Sequence, residues 1–538
     1  MSGNVMGGNG IGSRWVYGAL ALFLIILSVY CLGDWWDLKT NDSWPWGILL
    51  MVRILGAIFL SLFLTSTTFW IRTLERGCQL VFGFWLLFLS ALLLISWPGF
   101  LMTDSNAALN FCFIYPTHLW FGYFIPFLNL TVLQLVPHVA AMVFFQLILA
   151  AIIFTYCTQT LSNLSPKKMP VCVFSLFVIF SPAIIFNLLL LSRDTIFSLL
   201  ILWVCAFIIN LHKFRKISIN QYCVAGFISG LIVVIRGDGW LVFLPLFLVI
   251  IFVSRKILTV LIFGLFASTV IALFGFVLPS LNGDHRSDFS YLVVNTINPV
   301  GYVLMNKNFT DTKGSLTLIS KVLDVEKITR EQTPFETPAF WSGGVMKEEA
   351  TELQRQAYGS AVGTLLGENL GIYFAGRMET FLAASGFNQI GFRYSDEKVR
   401  IDRQSGWAPP RWIVNMNLNS YRPFPRTFDY FNGLLIKSTK YNALDLSGSA
   451  IFWNFIPWLG LILSLILLYP YIPAVSLACI VLVVRVPLIF LAAPASQFKY
   501  YFSISLCGPF LLCVGIVLLL KFSSNKKKTS IEYPDGVE

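Results

Sequence analysis

Four short stretches of this 538-residue chain set carboxylates and cations at spacings that could do chemistry. The first is Trp97-Pro98-Gly99-Phe100-Leu101-Met102-Thr103-Asp104-Ser105-Asn106. It follows a charge-free apolar run from Leu80 to Ile95, which Pro98 and Gly99 bring to a stop. Asp104 is the first carboxylate after that run, in surroundings otherwise apolar and aromatic, and a carboxylate held there can act as a general base. The second stretch, Ser192-Arg193-Asp194-Thr195-Ile196-Phe197, opens another apolar run. The third, Ile235-Arg236-Gly237-Asp238-Gly239-Trp240-Leu241, separates two runs, and the fourth, Gln497-Phe498-Lys499-Tyr500-Tyr501, opens the last. Each has a plain structural reading as well. Arg193-Asp194 suits a local ion pair at a helix start, and Asp238-Gly239 suits a turn with an N-cap. Charges between apolar runs are costly to bury and take partners. Several of them on one face favour a shared site.

The elements that must position these residues are apolar. Hydrophobic residues make up 57% of the chain and charged residues 12%, where a soluble protein carries about 25% charged. Apolar runs lie at 15–33, 47–69, 79–97, 133–156, 169–190, 194–211, 220–235, 239–254, 257–279, 449–469, 471–493 and 500–521. Crossing a bilayer takes about 20 apolar residues as a helix, so the expectation is an all-α polytopic membrane protein of about twelve transmembrane helices. With a cytosolic N-terminus, alternation puts Arg72, Arg76, Lys167, Lys168, His212 to Lys216, Arg255, Lys256, Lys521, Lys526, Lys527 and Lys528 on the cytosolic side. It puts Asp104, Arg193, Arg236, Asp238 and Lys499 together on the outer side. The expected layout is a transmembrane module at 1–279, a large extracytoplasmic α-rich or irregular segment at 280–448 between helices nine and ten, a second module at 449–521 and a cytosolic tail at 522–538. The formal charge of +11 then belongs largely to cytosolic loops facing anionic membrane lipid, not to a nucleic-acid surface.

Other chemistries lack their residues. The ten cysteines are scattered, and none lies in 280–448, which argues against a disulfide framework or a cysteine-based metal site. The four histidines (His118, His138, His212 and His285) are dispersed, and no metal-binding or nucleotide-binding motif is present. The run after Arg14 has no cleavage signature and reads as a retained first helix. No cofactor is indicated. On the outer face of a membrane no nucleotide pool exists, so any group transfer there needs a donor activated elsewhere, and a lipid phosphate is the natural one.

Three further regions invite a reading. The stretch 107–131 is aromatic and broken by Pro116 and Pro126. It reads as one or two short interfacial helices, serving as an anchoring belt or as a wall for a lipid-linked substrate. Within 280–448 a helical pattern runs from Met346 to Leu382, with Leu353, Tyr358, Val362, Leu365 and Leu366 among its apolar positions. The stretch 393–426 then gathers Arg393, Arg400, Arg403, Arg411, Arg422 and Arg426 with Trp407 and Trp412, which suits sugars and phosphates or a solvated basic loop near headgroups. Arg485 lies inside an apolar run and requires a partner within the bundle or a watery cavity.

The loop ending in Thr103-Asp104-Ser105, the two helix openings at Ser192–Phe197 and Ile235–Leu241, and the late Phe498-Lys499-Tyr500-Tyr501 together resemble the GT-C superfamily of polytopic glycosyltransferases. They are most similar to bacterial members that use a polyprenyl-phosphate sugar to decorate lipopolysaccharide O-antigen or other envelope glycans at the inner membrane. The resemblance covers roughly 80 to 260 and the last three runs. It implies a GT-C-like fold, a polyprenyl-phosphate hexose donor and an envelope glycan acceptor. The family's catalytic carboxylate falls on Asp104, as general base of an inverting displacement. Arg193, Arg236 and Lys499 would bind the donor phosphate, with Asp194 and Asp238 orienting them. Segment 280–448 has no counterpart in that layout; from their own chemistry Arg393, Arg400, Arg403, Arg411, Trp407 and Trp412 are the candidates to meet the acceptor. Two other classes fit the layout. An O-antigen polymerase or ligase would take a lipid-diphosphate glycan, and the arginines of 393–426 favour it. A lipid-linked sugar flippase would show several deep charges and an inverted repeat, whereas only Arg485 lies deep and no repeat is visible.

Overall fold

Apolar runs of this length fold as helices because a backbone in hydrocarbon must satisfy its own hydrogen bonds. The computed structural model describes residues 8–32, 45–112, 122–214, 218–254, 256–282, 287–333, 335–386, 422–439 and 451–531. The first half runs through Gly8–Leu32 (α1), Trp46–Thr73 (α2), Arg76–Ile95 (α3), Thr103–Phe111 (α4), Phe124–Leu135 (α5), Val139–Leu164 (α6), Met169–Phe180 (α7), Pro182–Leu189 (α8), Arg193–Phe214 (α9), Ile219–Ile235 (α10), Trp240–Ser254 (α11), Ile257–Ile271 (α12) and Leu278–Asn282 (α13). The second half runs through Ser287–Met305 (α14), Ser315–Val322 (α15), Val325–Glu331 (α16), Pro338–Trp341 (α17), Glu352–Glu368 (α18), Leu370–Ala384 (α19), Pro425–Thr439 (α20), Ile456–Leu467 (α21), Pro473–Val483 (α22), Val486–Ala492 (α23) and Phe502–Ile531 (α24). Among the described residues there is no β-strand, only isolated bridges such as Phe100 with Leu190.

Among the described residues, eight helical stretches are long and apolar enough to cross a membrane. They are α2, α3, α6, Arg193–Lys213, Gly237–Ser254, Ile257–Leu281, Pro473–Ala492 and Phe498–Ser523. The run at 169–190 is helical but bent by 68° where Pro182 opens α8, with Ser181 capping the new start; taken as one span it is a ninth. The remaining three runs fall on shorter apolar helices: Gly18–Tyr30 within α1, α10 and α21. Leu80, Leu87, Phe252, Ile257 and Leu265 face outward, so the outside of the bundle is apolar as lipid requires. The protein is a helical, multi-pass membrane protein.

At the centre stands α9, buried along most of its length and packed by α6, α10, α11, α22 and α24. Residues 287–368 build a second, smaller core. On α14 the spacing of Val293, Ile297, Val300 and Val303 makes one apolar stripe, which meets Ile319, Val322, Ile328, Tyr358, Val362 and Leu365. The helical pattern expected from Met346 to Leu382 is two helices instead, broken at Asn369, whose side chain bonds Thr310. Leu353, one of the apolar positions of that pattern, is 78% exposed, because the buried stripe of α18 starts only at Tyr358.

The interfacial reading of 107–131 is also corrected where the structure describes it. Tyr123, Phe124, Pro126 and Phe127 are buried, since α5 turns into the bundle and packs on α2, α6 and α10. Residues 113–121 lie outside the described ones.

Candidate functional site at one end of the bundle

Asp104 owes its place to a strap between two loops. The loop after α3 pairs with the loop before α9: Phe100 N–H donates to Leu189 O at 2.9 Å and Leu191 N–H donates to Phe100 O at 3.0 Å. Gln146 of α6 fastens the same loop by donating to Leu188 O at 2.7 Å and Leu190 O at 2.9 Å. Gly99 has φ of +101°, and a Cβ there would lie 2.8 Å from Val143 Cγ2 and 2.9 Å from Leu189 O, so the strap needs glycine. Ser105 then donates to Leu191 O, which ties the first turn of α4 to the approach of α9. These bonds bring Asp104 beside Arg193 and Asp194.

The third stretch is placed by a close helix turn. Gly239 sits against the Ile232 carbonyl with no room for a Cβ, so the chain reverses tightly between α10 and α11. That turn aims Arg236 and Asp238 back at the start of α9.

The charges form an ordered series. Arg236 Nη1 pairs with Asp194 Oδ1, and Arg236 Nε donates to Asp238 Oδ1 at 2.7 Å. Arg485 holds the other oxygen of Asp238, through Nη2 at 2.8 Å and Nε at 2.9 Å. It also donates to Ser503 Oγ at 3.0 Å and Tyr500 O at 3.4 Å. Phe197 lies under both guanidiniums, 4.5 Å from Arg485 and 5.5 Å from Arg236, and Tyr500 lies 5.6 Å from Arg236. Alternating signs with filled hydrogen bonds are what make a buried ionic group tolerable. Lys499 pairs with Asp104 Oδ2, and it also lies near Asp194 and 5.6 Å from the Tyr500 ring.

Above this floor lies a cavity of about 550 Å³, within the range of small-molecule sites. Asp104, Arg193, Asp194, Arg236 and Asp238 line it from the bundle, with Gln497 and Tyr500. The small core supplies the facing wall through Tyr291, Asn295, Glu336, Thr337 and Trp341. A third side is α23 and the loop after it, Leu488 to Ala495. The opposite face of α23 and the adjoining α19 enclose an apolar groove of about 480 Å³, walled by Phe374, Met378, Phe381, Pro487 and Phe490 among others. Such a cavity can take an anion at its arginines and offer a carboxylate to a neighbouring hydroxyl. Among the described residues no group of three or more His, Cys, Asp or Glu side chains is placed to hold a metal ion.

Five of the expected site residues therefore meet in one cavity: Asp104, Arg193, Asp194, Arg236 and Asp238. Lys499 differs. It was expected to face the donor phosphate, but it is buried behind Asp104, to which it is paired, and does not line the cavity. Arg393, Arg400, Arg403, Trp407, Arg411 and Trp412 lie outside the described residues. The partner that Arg485 requires is Asp238, which ties Arg485 to the site. Tyr291, Asn295, Glu336 and Trp341 went unnoticed in the sequence, where they stand apart with no motif around them. In comparisons with known proteins, no family model, no curated protein and no solved structure matches this chain.

Proposed function

We propose that this chain is an integral-membrane glycosyltransferase with a GT-C-like bundle of about twelve spans, moving a hexose from a polyprenyl-phosphate donor to an extracytoplasmic glycan. The observation that carries the reading is one cavity, at the end of a membrane bundle, lined by the accessible carboxylate Asp104 and by Arg193 and Arg236. The groove across α23 gives the donor's apolar chain a place beside the headgroup cavity. Both termini are cytosolic in this reading, and the cavity opens on the outer side of the inner or plasma membrane.

The reaction is a single displacement. The acceptor hydroxyl oxygen attacks the anomeric carbon and loses its proton to the Asp104 carboxylate. The bond from that carbon to the phosphate oxygen breaks, its electron pair leaves with the phosphate, and the anomeric configuration inverts. Arg193 and Arg236 stabilise the charge that gathers on the leaving phosphate. Asp194 and Asp238 hold Arg236 in place, and Arg485 holds Asp238. Positioning supplies much of the rate, since an ordinary aspartate is a weak base.

The test is transfer of radiolabelled sugar from polyprenyl-phosphate-hexose in membranes, comparing wild type with Asp104→Asn at equal expression. The expected loss is about 10²–10⁴-fold. Undiminished turnover in folded Asp104→Asn defeats the mechanism. Transfer from a diphosphate-linked glycan, indifferent to Asp104, would instead indicate a polymerase or ligase and move attention to Arg393, Arg400, Arg403 and Arg411.

A lipid-linked sugar transporter is the second reading, because four candidate spans contribute Asp194, Asp238, Arg485 and Lys499. Three of these stand in the first turn of their spans, not at mid-bundle where transporters bind substrate, which favours the enzyme.

A further inference from the structure

The pair between Asp104 and Lys499 is unlike the rest of the ionic floor. The Lys499 side chain is 3% exposed and that of Asp104 is 43% exposed, so a buried cation is covered by a carboxylate that itself faces the cavity. Arg236 is held by both Asp194 and Asp238, and Arg485 by Asp238, Ser503 and the Tyr500 carbonyl. Taking either arginine from its partners would strand a carboxylate that is almost enclosed. Taking Lys499 from Asp104 leaves a carboxylate that swings into the cavity and recovers its hydration, so the only charge left to be met is the buried Lys499 ammonium, which a replacing anion can meet.

We infer that the Asp104–Lys499 pair is an exchangeable latch, which the phosphate of an incoming donor opens by replacing Asp104 on the Lys499 ammonium. The inference rests on the lipid-phosphate reading and adds the order of events to it. The exchange moves no proton and breaks no covalent bond: one ionic contact is traded for another. Before it, the Asp104 carboxylate is taken up by Lys499 through Oδ2. After it, the carboxylate is free to take the acceptor's proton, and Lys499 neutralises the group that will leave. The base is therefore switched on by the donor, and a hydroxyl compound that enters alone finds it occupied.

Competition for Lys499 makes an unusual demand on the variants. Asp104→Asn abolishes the proposed base, yet it must tighten the donor, because the carboxylate that competes with phosphate is gone. Full-length protein in detergent is titrated calorimetrically with a sugar-free short-chain polyprenyl monophosphate and, separately, with inorganic phosphate. The expected result is a Kd about fivefold lower in Asp104→Asn than in wild type. Asp104→Glu keeps the competitor and stays within about twofold of wild type, and Lys499→Gln on top of Asp104→Asn cancels the gain. A gain with the lipid alone identifies the lipid headgroup as the ligand; a gain with both probes identifies phosphate itself.

If Asp104→Asn binds no tighter than wild type, the latch is wrong while the donor reading stands. If neither protein binds either probe, the donor reading falls and the latch with it. A measurement on the unmutated protein guards against a variant that does not fold. Labelling of the Asp104 carboxyl by a water-soluble carbodiimide and an amine, read by mass spectrometry, must change when the binding probe is added. An unchanged yield with bound probe overturns the latch.

Discussion

Arg485 and Arg377 are both 2% exposed, and they hold opposite ends of the same short helix, α23. Arg485 stands at its start and pairs with the carboxylate of Asp238. Arg377 reaches across from α19 and donates to the carbonyls of Phe490 at 2.7 Å and Ala493 at 2.8 Å, at the helix's end. A cation bonding the last carbonyls of a helix also meets the negative end of its dipole. Among the described residues no carboxylate pairs with Arg377, and its Nη1 has no hydrogen-bond partner. Burial accordingly pulls its pKa below the ordinary arginine value. One arginine is thus bound into a chain of charges that reaches the cavity, and the other is a clamp on neutral backbone. The difference separates a group whose loss unbalances the site from one whose loss only loosens a wall.

The sharpest way to break this comparison is Arg485→Met. It strands Asp238 beside Arg236 alone, and the expected cost is about 3–5 kcal/mol, read by denaturant unfolding in detergent. The same variant should lose affinity for the polyprenyl monophosphate, because Arg236 is no longer held from behind. Arg377→Met removes two bonds to carbonyls and strands no charge, so about 1–3 kcal/mol is expected, with probe affinity unchanged. Equal losses of stability and affinity in the two variants would erase the distinction. The smallest effect belongs to Tyr373→Phe, which deletes a single bond from its hydroxyl to Leu491 O at 2.9 Å on the same helix. Its cost should be about 0.5–1.5 kcal/mol, and a larger one would mean that α19 holds α23 chiefly through the tyrosine.

Much of this was legible in the residues, for identifiable reasons. Apolar runs must be helices in a membrane, so the location of the bundle's long helices followed from hydropathy, whereas the helices α14 to α17 of the small core did not. The convergence of Asp104, Arg193, Asp194, Arg236 and Asp238 followed from alternation, because helices that cross the same slab return their ends to the same faces. Length was the weaker guide. A run such as 169–190 has enough residues to cross, yet Pro182 bends it by 68°. Pairing was legible only in part: Asp194 and Asp238 are expected to orient the site's cations, and both hold Arg236. Nothing in the local sequence joins Asp104 to Lys499, which are 395 residues apart, or Arg485 to Asp238. The wall made by Tyr291, Glu336 and Trp341 comes from turns and helix ends of the small core, where side-chain direction depends on packing and not on period. Leu353 shows the same limit, since an apolar type at a plausible spacing still faces outward once the stripe starts one turn later.

The 395-residue separation within one ion pair also sets a timetable for biosynthesis. At about 5–20 residues per second, Asp104 leaves the ribosome ~20–80 s before Lys499 does. The last helix, α24, covers faces of α6, α7, α8 and α9 that were made long before it. Until it and Arg485 arrive, the nascent site holds Asp104, Asp194 and Asp238 against Arg193 and Arg236, an excess of negative charge with one side of the bundle uncovered. Chains truncated before 485 would keep that imbalance permanently, and membrane quality control would meet them as bundles with an acidic, open seam.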